Sequence, residues 1–171
     1  MLYHRQIRRD RSGDVRLSLN PNEQLLLRDL LDELEPQLAE PDDPALRRLF
    51  PPAYSDDESD EQYRSLVRDQ LVNGRAKSLV TVRATLGEKT LTAKQADEWL
   101  RALNDLRLVL GTRLDVTEDL DYGAIDLNEP RGRDLAVYGY LSWLQEQLFV
   151  RVEAEPNVTA AVAPNLSMEQ H

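Results

Sequence analysis

Carboxylates are the most abundant side chains in this chain that could do chemistry. Its 171 residues include 31 aspartates and glutamates against 21 lysines and arginines, a net charge of −10 at pH 7. Five acids crowd into residues 56–61, a density that could bind a divalent metal. Acidic side chains also gather at helix N-termini, where the dipole stabilises each by about 0.3–1 kcal/mol. We favour this second interpretation, because carboxylate pairs arise by chance in so acidic a chain.

Other reactive groups are scarce. The two histidines, His4 and His171, lie at opposite ends of the sequence and predict neither a zinc site nor a proton relay. Cysteine is absent, which excludes a disulfide, a thiolate ligand or a cysteine nucleophile within these residues. No GxGxxG, Walker A, GxSxG or HExxH motif occurs. We therefore predict no catalytic residue, no metal and no cofactor, and we favour a non-enzyme over a carboxylate-based enzyme.

The charge also bears on partners and location. A negative field repels phosphate backbones and anionic lipids, so direct binding to nucleic acid or to a membrane surface is disfavoured. Residues 2–19 are locally +3, which we interpret as a solvated strand face. No apolar run approaches the ~20 residues of a membrane span, and residues 1–10 lack the apolar core of a secretory signal. These features predict a cytoplasmic protein.

The elements that would position these groups begin with a predicted β-hairpin in residues 1–19. LYHRQI and DVRLSL alternate polar and apolar residues on either side of a turn at Ser12-Gly13. An amphipathic helix then starts at Asn20-Pro21-Asn22-Glu23, which supplies a cap, a first-turn proline and a capping-box glutamate. Pro36 predicts that this helix kinks or ends near Glu35.

A second amphipathic helix is predicted after residue 61. Its first apolar side consists of Tyr63, Leu66, Val67 and Leu71. Beyond Gly74 the stripe shifts to Leu79, Val82 and Leu86. Two explanations of this shift stay open, since the helix could bend at Gly74 or the glycine could admit another helix closely.

The stretch Trp99–Leu114 (WLRALNDLRLVLGTRL) predicts the central helix of the fold. It follows a capping box at Thr92–Gln95 and is apolar over much of its circumference, as a helix packed on several sides must be. Arg107 lies within the apolar arc, so it needs a polar partner from another element. Arg101, Asn104 and Asp105 are expected to share a flank directed away from the core.

The last helix is predicted over residues 131–150. Its core face is expected to comprise Val137, Tyr138, Leu141, Leu144, Leu148 and Phe149. Trp143 points the other way, so either a second layer covers it or it anchors a protein interface, for instance in a homodimer. The resulting prediction is a mainly α fold: one domain over residues 1–150, with five or six helices in 20–150 after the hairpin, and a loosely ordered tail over 151–171.

Several of these segments together resemble a known family. WLRALNDLRLVLGTRL, the following Asp115–Asp119, the connector Leu49–Tyr54 (LFPPAY) and Tyr138–Leu148 (YGYLSWLQEQL) are similar to the actinobacterial DUF2017 family. The resemblance spans nearly the whole chain. It implies a regulator of oxidative-stress transcription that binds a sigma factor or RNA polymerase. Without cysteine, sensing by thiol oxidation cannot be carried over to this sequence.

Two further functions stay open. Family members are often encoded near an adaptor of the Clp protease, which suggests an adaptor or scaffold in protein turnover, and a carboxylate-based enzyme is the third alternative. The residues that we single out, as contact residues or as a structural polar network, are Trp99, Arg101, Asn104, Asp105, Arg107, Arg113 and Trp143.

Overall fold

The computed structural model describes residues 7–40, 43–50 and 58–153. Within them lie four α-helices: α1 (Pro21–Gln37), α2 (Glu58–Thr85), α3 (Ala93–Arg113) and α4 (Pro130–Glu153). Two short 3-10 helices, Pro44–Leu46 and Tyr122–Ala124, interrupt the connections. The mainly α prediction is confirmed, although the described residues form four α-helices and two short 3-10 helices where five or six helices were expected.

The predicted hairpin belongs to a small three-stranded antiparallel sheet. Strands β1 (Arg8–Arg9) and β2 (Val15–Arg16) form the hairpin, and β3 (Thr90–Leu91) pairs with β2. The turn uses Gly13 at φ +90°, where other residues are strained. Sequence reasoning missed β3 because two residues between helices carry no strand periodicity.

Helix boundaries follow the capping chemistry. Asn20 Oδ1 accepts from the Glu23 N–H at 2.9 Å, and Glu23 Oε2 accepts from the Asn20 N–H at 2.7 Å. Thr92 and Gln95 form the same reciprocal pair at the start of α3. Both predicted capping boxes are confirmed. α1 runs past Glu35 and ends at Gln37, so Pro36 stands inside its last turn.

α3 is the central helix, as predicted. It packs against α2 and α4 along its length and also touches α1, β3 and the 3-10 helix Pro44–Leu46. Its core-facing side chains are Ala96, Trp99, Ala102, Leu103, Leu106 and Val109, all buried. α2 continues unbroken through Gly74, where an added Cβ would meet nothing within 4 Å. No other described element therefore approaches that glycine.

α4 departs from its prediction at one core position and at its end. Leu141, Leu144 and Leu148 are buried as expected, but Phe149 is 53% exposed, so its assignment to the core face is wrong. The helix extends to Glu153, three residues into the predicted tail 151–171, whose remainder lies outside the described residues. Across residues 7–40, 43–50 and 58–153, no helix combines the length and the hydrophobicity that a membrane crossing requires.

Candidate functional site

A row of polar contacts joins the central helix to α2. The Trp99 indole Nε1–H donates to Thr85 Oγ1 at 2.7 Å, and the Ser78 hydroxyl donates to a carboxylate oxygen of Glu98. All four side chains are buried. Buried donors and acceptors that lack partners destabilise a fold, so these matched pairs fix how α3 sits on α2. Trp99 therefore acts as a packing residue of the interior.

Arg75 and Asp105 form the ion pair of this interface. Asp105 is 2% exposed, and the Arg75 guanidinium contacts its Oδ1 and donates to the Leu49 carbonyl at 3.0 Å. The same guanidinium lies 5.5 Å from the centre of the Phe50 ring. Burial raises the pKa of Asp105, and the hydrogen bond and charge of Arg75 oppose that rise. The expectation that Asp105 faces away from the core is wrong, because it faces α2.

The exposed polar residues of α3 point to different neighbours. Arg101 is 70% exposed and lies 3.7 Å from a carboxylate oxygen of Glu98. Asn104 is half-buried and accepts from Gln145 Nε2 of α4 at 3.4 Å. Arg113 donates to Gln37 and lies 3.5 Å from Glu33, both on α1. These three side chains do not converge on one site.

Arg107 faces the connection between α3 and α4. It is half-buried, and its Nε has no hydrogen-bond partner among the described residues. Its charge lowers the pKa of the Tyr122 phenol, whereas burial and the nearby Tyr138 raise it more. Within the described part of the chain neither a hydrogen bond to Arg107 nor a carboxylate partner is present, so its polar partner from another element stays a prediction.

Trp143 lies under the N-terminal segment. It is half-buried, packs on the core, and lines a cavity of about 30 Å³ together with Ile7, Leu17 and Leu19. Its ring is tilted by 30° to that of Tyr140, with centroids 6.2 Å apart. The N-terminal segment therefore covers part of Trp143, and a role of this side chain in a protein interface stays a prediction.

The seven predicted residues therefore do not form one site. Their contacts from α3 reach α1, α2 and α4, and Trp143 of α4 faces the N-terminal segment. Sequence reasoning missed three of their partners, Arg75, Thr85 and Glu98, and it also missed Ser78, which donates to Glu98. A signal existed: Glu98 and Asp105 are seven residues apart, with Ala102 between them, so they share one stripe of a helix. Polar side chains on the stripe that carries Ala102 indicate a polar seam against a neighbour.

An acidic depression of about 440 Å³ lies between the end of α3 and the start of α4. Its acidic lining residues are Asp115, Asp119, Asp121, Asp126 and Glu129. Two of these carboxylates order the loop themselves, since Asp121 Oδ1 accepts from the Gly123 N–H and Asp126 Oδ1 from the Asn128 N–H. The others present their charge to solvent.

These acidic residues do not assemble a metal site. Among the described residues, no three aspartate, glutamate or histidine side chains gather closely enough to hold a metal ion. The acidic run 56–61 lies mostly outside the part of the chain whose side chains are described. Asp105, whose pKa is raised, does not line the depression.

Family membership follows from sequence comparison. The profile of DUF2017, a domain of unknown function, matches residues 4–152, and the chain belongs to this family. No solved structure matches the chain.

Curated relatives carry a functional name. Proteins named oxidative stress regulator AosR from Mycobacterium tuberculosis and Mycobacterium bovis are each 32% identical to this chain over 126 residues, which cover 63% of this chain and 57% of theirs. A Mycobacterium leprae relative that also bears the AosR name is 30% identical over 132 residues, or 67% of this chain and 60% of its own. The matched region thus spans under two thirds of each relative.

Proposed function

We propose that this protein is a cytoplasmic, non-enzymatic regulator of transcription in oxidative stress, acting by binding a sigma factor or RNA polymerase. The observation that carries the proposal is the similarity to the relatives named oxidative stress regulator AosR. The geometry is compatible, because the buried polar groups of α3 are engaged in interhelical contacts rather than grouped around a substrate cavity.

The acidic depression is the surface we assign to this contact. Its loop keeps Glu118 and Asp119 exposed, and residues 114–130 contain six acids and no base. A concentrated negative field accelerates encounter with a basic partner and weakens as salt screens it. On α3, Arg101 is the most exposed of the predicted residues and is proposed as a flanking contact.

A direct binding measurement tests both statements. The full chain is immobilised, and core RNA polymerase and the purified sigma factors of the same organism are passed over it at low and high salt. We expect binding that weakens at high salt. The double variant Glu118→Lys/Asp119→Lys should lower the affinity about tenfold or more, because reversing two charges opposes the steering field. Asp29→Lys/Glu40→Lys is the matched control, since it makes the same charge change at two exposed positions, one in α1 and one just after it. Arg101→Ala tests whether the exposed side chain of α3 contributes to the same contact.

Three results would contradict the proposal. Failure of every sigma factor and of RNA polymerase to bind would refute the function, and equal loss in both double variants would refute the assigned surface. Recovery of Clp components instead, in a pull-down with the same bait, would make the turnover adaptor the better explanation.

Peroxide treatment of this chain alone should leave binding unchanged, because it holds no thiol and its methionines are Met1 and Met168.

A further inference from the structure

The N-terminal half of α2 presents an apolar face that nothing in the described structure covers. Tyr63 is 67% exposed, Leu66 is 64% exposed and Leu71 is 41% exposed. At 100° per residue, these three side chains lie with Val67 and Gly74 within about 140° of the helix circumference. The buried stripe farther along the same helix, which includes Leu79 and Val82, is rotated from this face and borders it at Leu71, since Val82 lies only about 20° from Leu71. Contiguous exposed apolar side chains of this kind mark interaction surfaces.

We infer that this face pairs with the same face of a second copy of the chain, as an antiparallel α2–α2 contact with twofold symmetry. A twofold contact places residues i and j of one copy opposite j and i of the other. Centred between residues 68 and 69, it places Leu66 opposite Leu71 of the second copy and Tyr63 opposite Gly74. Leu66 and Leu71 then meet each other and Tyr63 meets an open position, while the half-buried Val67 lies opposite Gln70.

Gly74 is the residue that makes this register fit. Its Cβ position is empty, with no atom within 4 Å, and the helix around it is regular. A glycine inside a helix costs up to about 1 kcal/mol relative to alanine. In the paired state that cost is offset, because the missing side chain leaves room for the Tyr63 ring of the second copy.

The charges along α2 favour a second copy over a basic partner. The whole chain carries −10, yet residues 58–81 contain four acids and four bases, so this segment alone does not repel itself. The acids Glu58, Asp60 and Glu61 come first and the exposed Lys77 comes later, while Arg75 is engaged with Asp105 inside the monomer. An antiparallel pair brings the acidic end of each helix beside Lys77 of the other, with Asp60 opposite Lys77, whereas a parallel pair would oppose like charges.

The expected contact is small. Residues 60–77 span about 27 Å at ~1.5 Å rise per residue, and a single helix pair buries less than the roughly 1,600 Å² of a standard interface. The dimer should therefore be weak and reversible. It should appear as a rise in molar mass with protein concentration, since association follows mass action.

Sedimentation equilibrium over about a hundredfold range of concentration tests the contact. Wild-type protein should move from monomer towards dimer, and Leu66→Glu and Gly74→Glu should stay monomeric at every concentration. Both positions are exposed, so circular dichroism should show folded protein in each case. Val80→Glu is the matched control: it adds the same charge at a 58%-exposed apolar position of the same helix, three residues beyond the proposed contact of residues 60–77, and should dimerise like wild type.

Single cysteines test the register, because the chain has none of its own. Leu66→Cys and Leu71→Cys proteins are mixed under mild oxidation, and the disulfide-linked products are separated by mass. The antiparallel register predicts that the mixed 66–71 product forms faster than either same-site product, since same-site cysteines are offset by five residues, or about 7.5 Å, along the helix. A monomer at all concentrations, a dimer that survives Leu66→Glu, or faster same-site crosslinking would each overturn the inference.

Discussion

The two halves of α2 carry the same kind of apolar periodicity and have opposite surroundings. In the C-terminal half, Leu79 and Val82 are 1% exposed, and Arg75, Ser78 and Thr85 reach polar groups of α3 or the connector. In the N-terminal half, Tyr63 and Leu66 are about two-thirds exposed. A hydrophobic stripe therefore indicates that one side of a helix is suited to burial. It does not indicate whether the same chain or another one buries that side.

A pair of leucine truncations in this one helix would sharpen the comparison most. Leu79→Ala removes a buried side chain and should lower the free energy of unfolding by about 2–5 kcal/mol. Leu66→Ala removes an exposed one and should change it by no more than about 0.5 kcal/mol. Urea unfolding at low protein concentration, followed by circular dichroism, measures both. A loss at Leu66 equal to that at Leu79 would mean that the N-terminal half is packed within the monomer.

A pair of glycine substitutions extends the comparison to the backbone. A Cβ on Gly132 would lie 1.8 Å from the Asp126 carbonyl oxygen, where the backbone cannot move aside cheaply. Gly132→Ala should therefore destabilise the protein by about 1–3 kcal/mol or more. Gly74→Ala should stabilise it by up to about 1 kcal/mol, because the position is open and alanine favours the helix. Thermal unfolding of the two variants should shift the melting temperature in opposite directions, and a shared direction would contradict this account.

Two aspartates with opposite pKa shifts give a smaller contrast. Burial raises the pKa of Asp105, so between its unfolded and folded pKa values the folded state binds more protons, and stability from this group falls as pH rises. Hydrogen bonds from Ser12 lower the pKa of Asp10, so its stabilisation is present above the unfolded pKa and is lost as pH falls through the folded one.

Asparagine variants separate the two signs. On acidification from neutral pH towards the unfolded pKa of about 3.9, the stability of wild type relative to Asp105→Asn should increase, whereas relative to Asp10→Asn it should decrease as the pH falls further. Urea unfolding at a series of pH values measures both differences. A decrease for Asp105→Asn would show that the charge of Arg75 outweighs burial at this site.

Much of the fold could be predicted because its signals are local. The two capping boxes involve side chains three residues apart, and the central position of α3 follows from the apolar arc of a single helix. Strand β3 and the extra turn of α4 could not be predicted, since they depend on contacts between distant segments. Arg9, for example, donates to the Val152 carbonyl near the end of α4 at 3.3 Å.

The candidate site was harder to predict, because the surroundings of each side chain depend on how α3 is rotated about its axis. Asp105 lies at the margin of the apolar arc of α3, where a rotation of the helix by a few tens of degrees decides whether it meets solvent or α2. The position of Arg75 in the adjacent helix settles the matter, and no pattern within α3 contains that information. Trp143 raised the same problem, because only the N-terminal segment that packs over it decides between cover and exposure.

The Arg75 side chain has a consequence for how the molecule opens. Its guanidinium joins a carboxylate of α3, the Leu49 carbonyl and the Phe50 ring, so one group holds three segments. When α2 separates from α3, the segment 43–50 therefore loses its anchor at the same moment, and releasing that segment first leaves the guanidinium without two of its three neighbours. Residues 43–50 and the α2–α3 interface should consequently exchange their amide hydrogens as one cooperative unit, although the segment 43–50 by itself has only a single 3-10 turn.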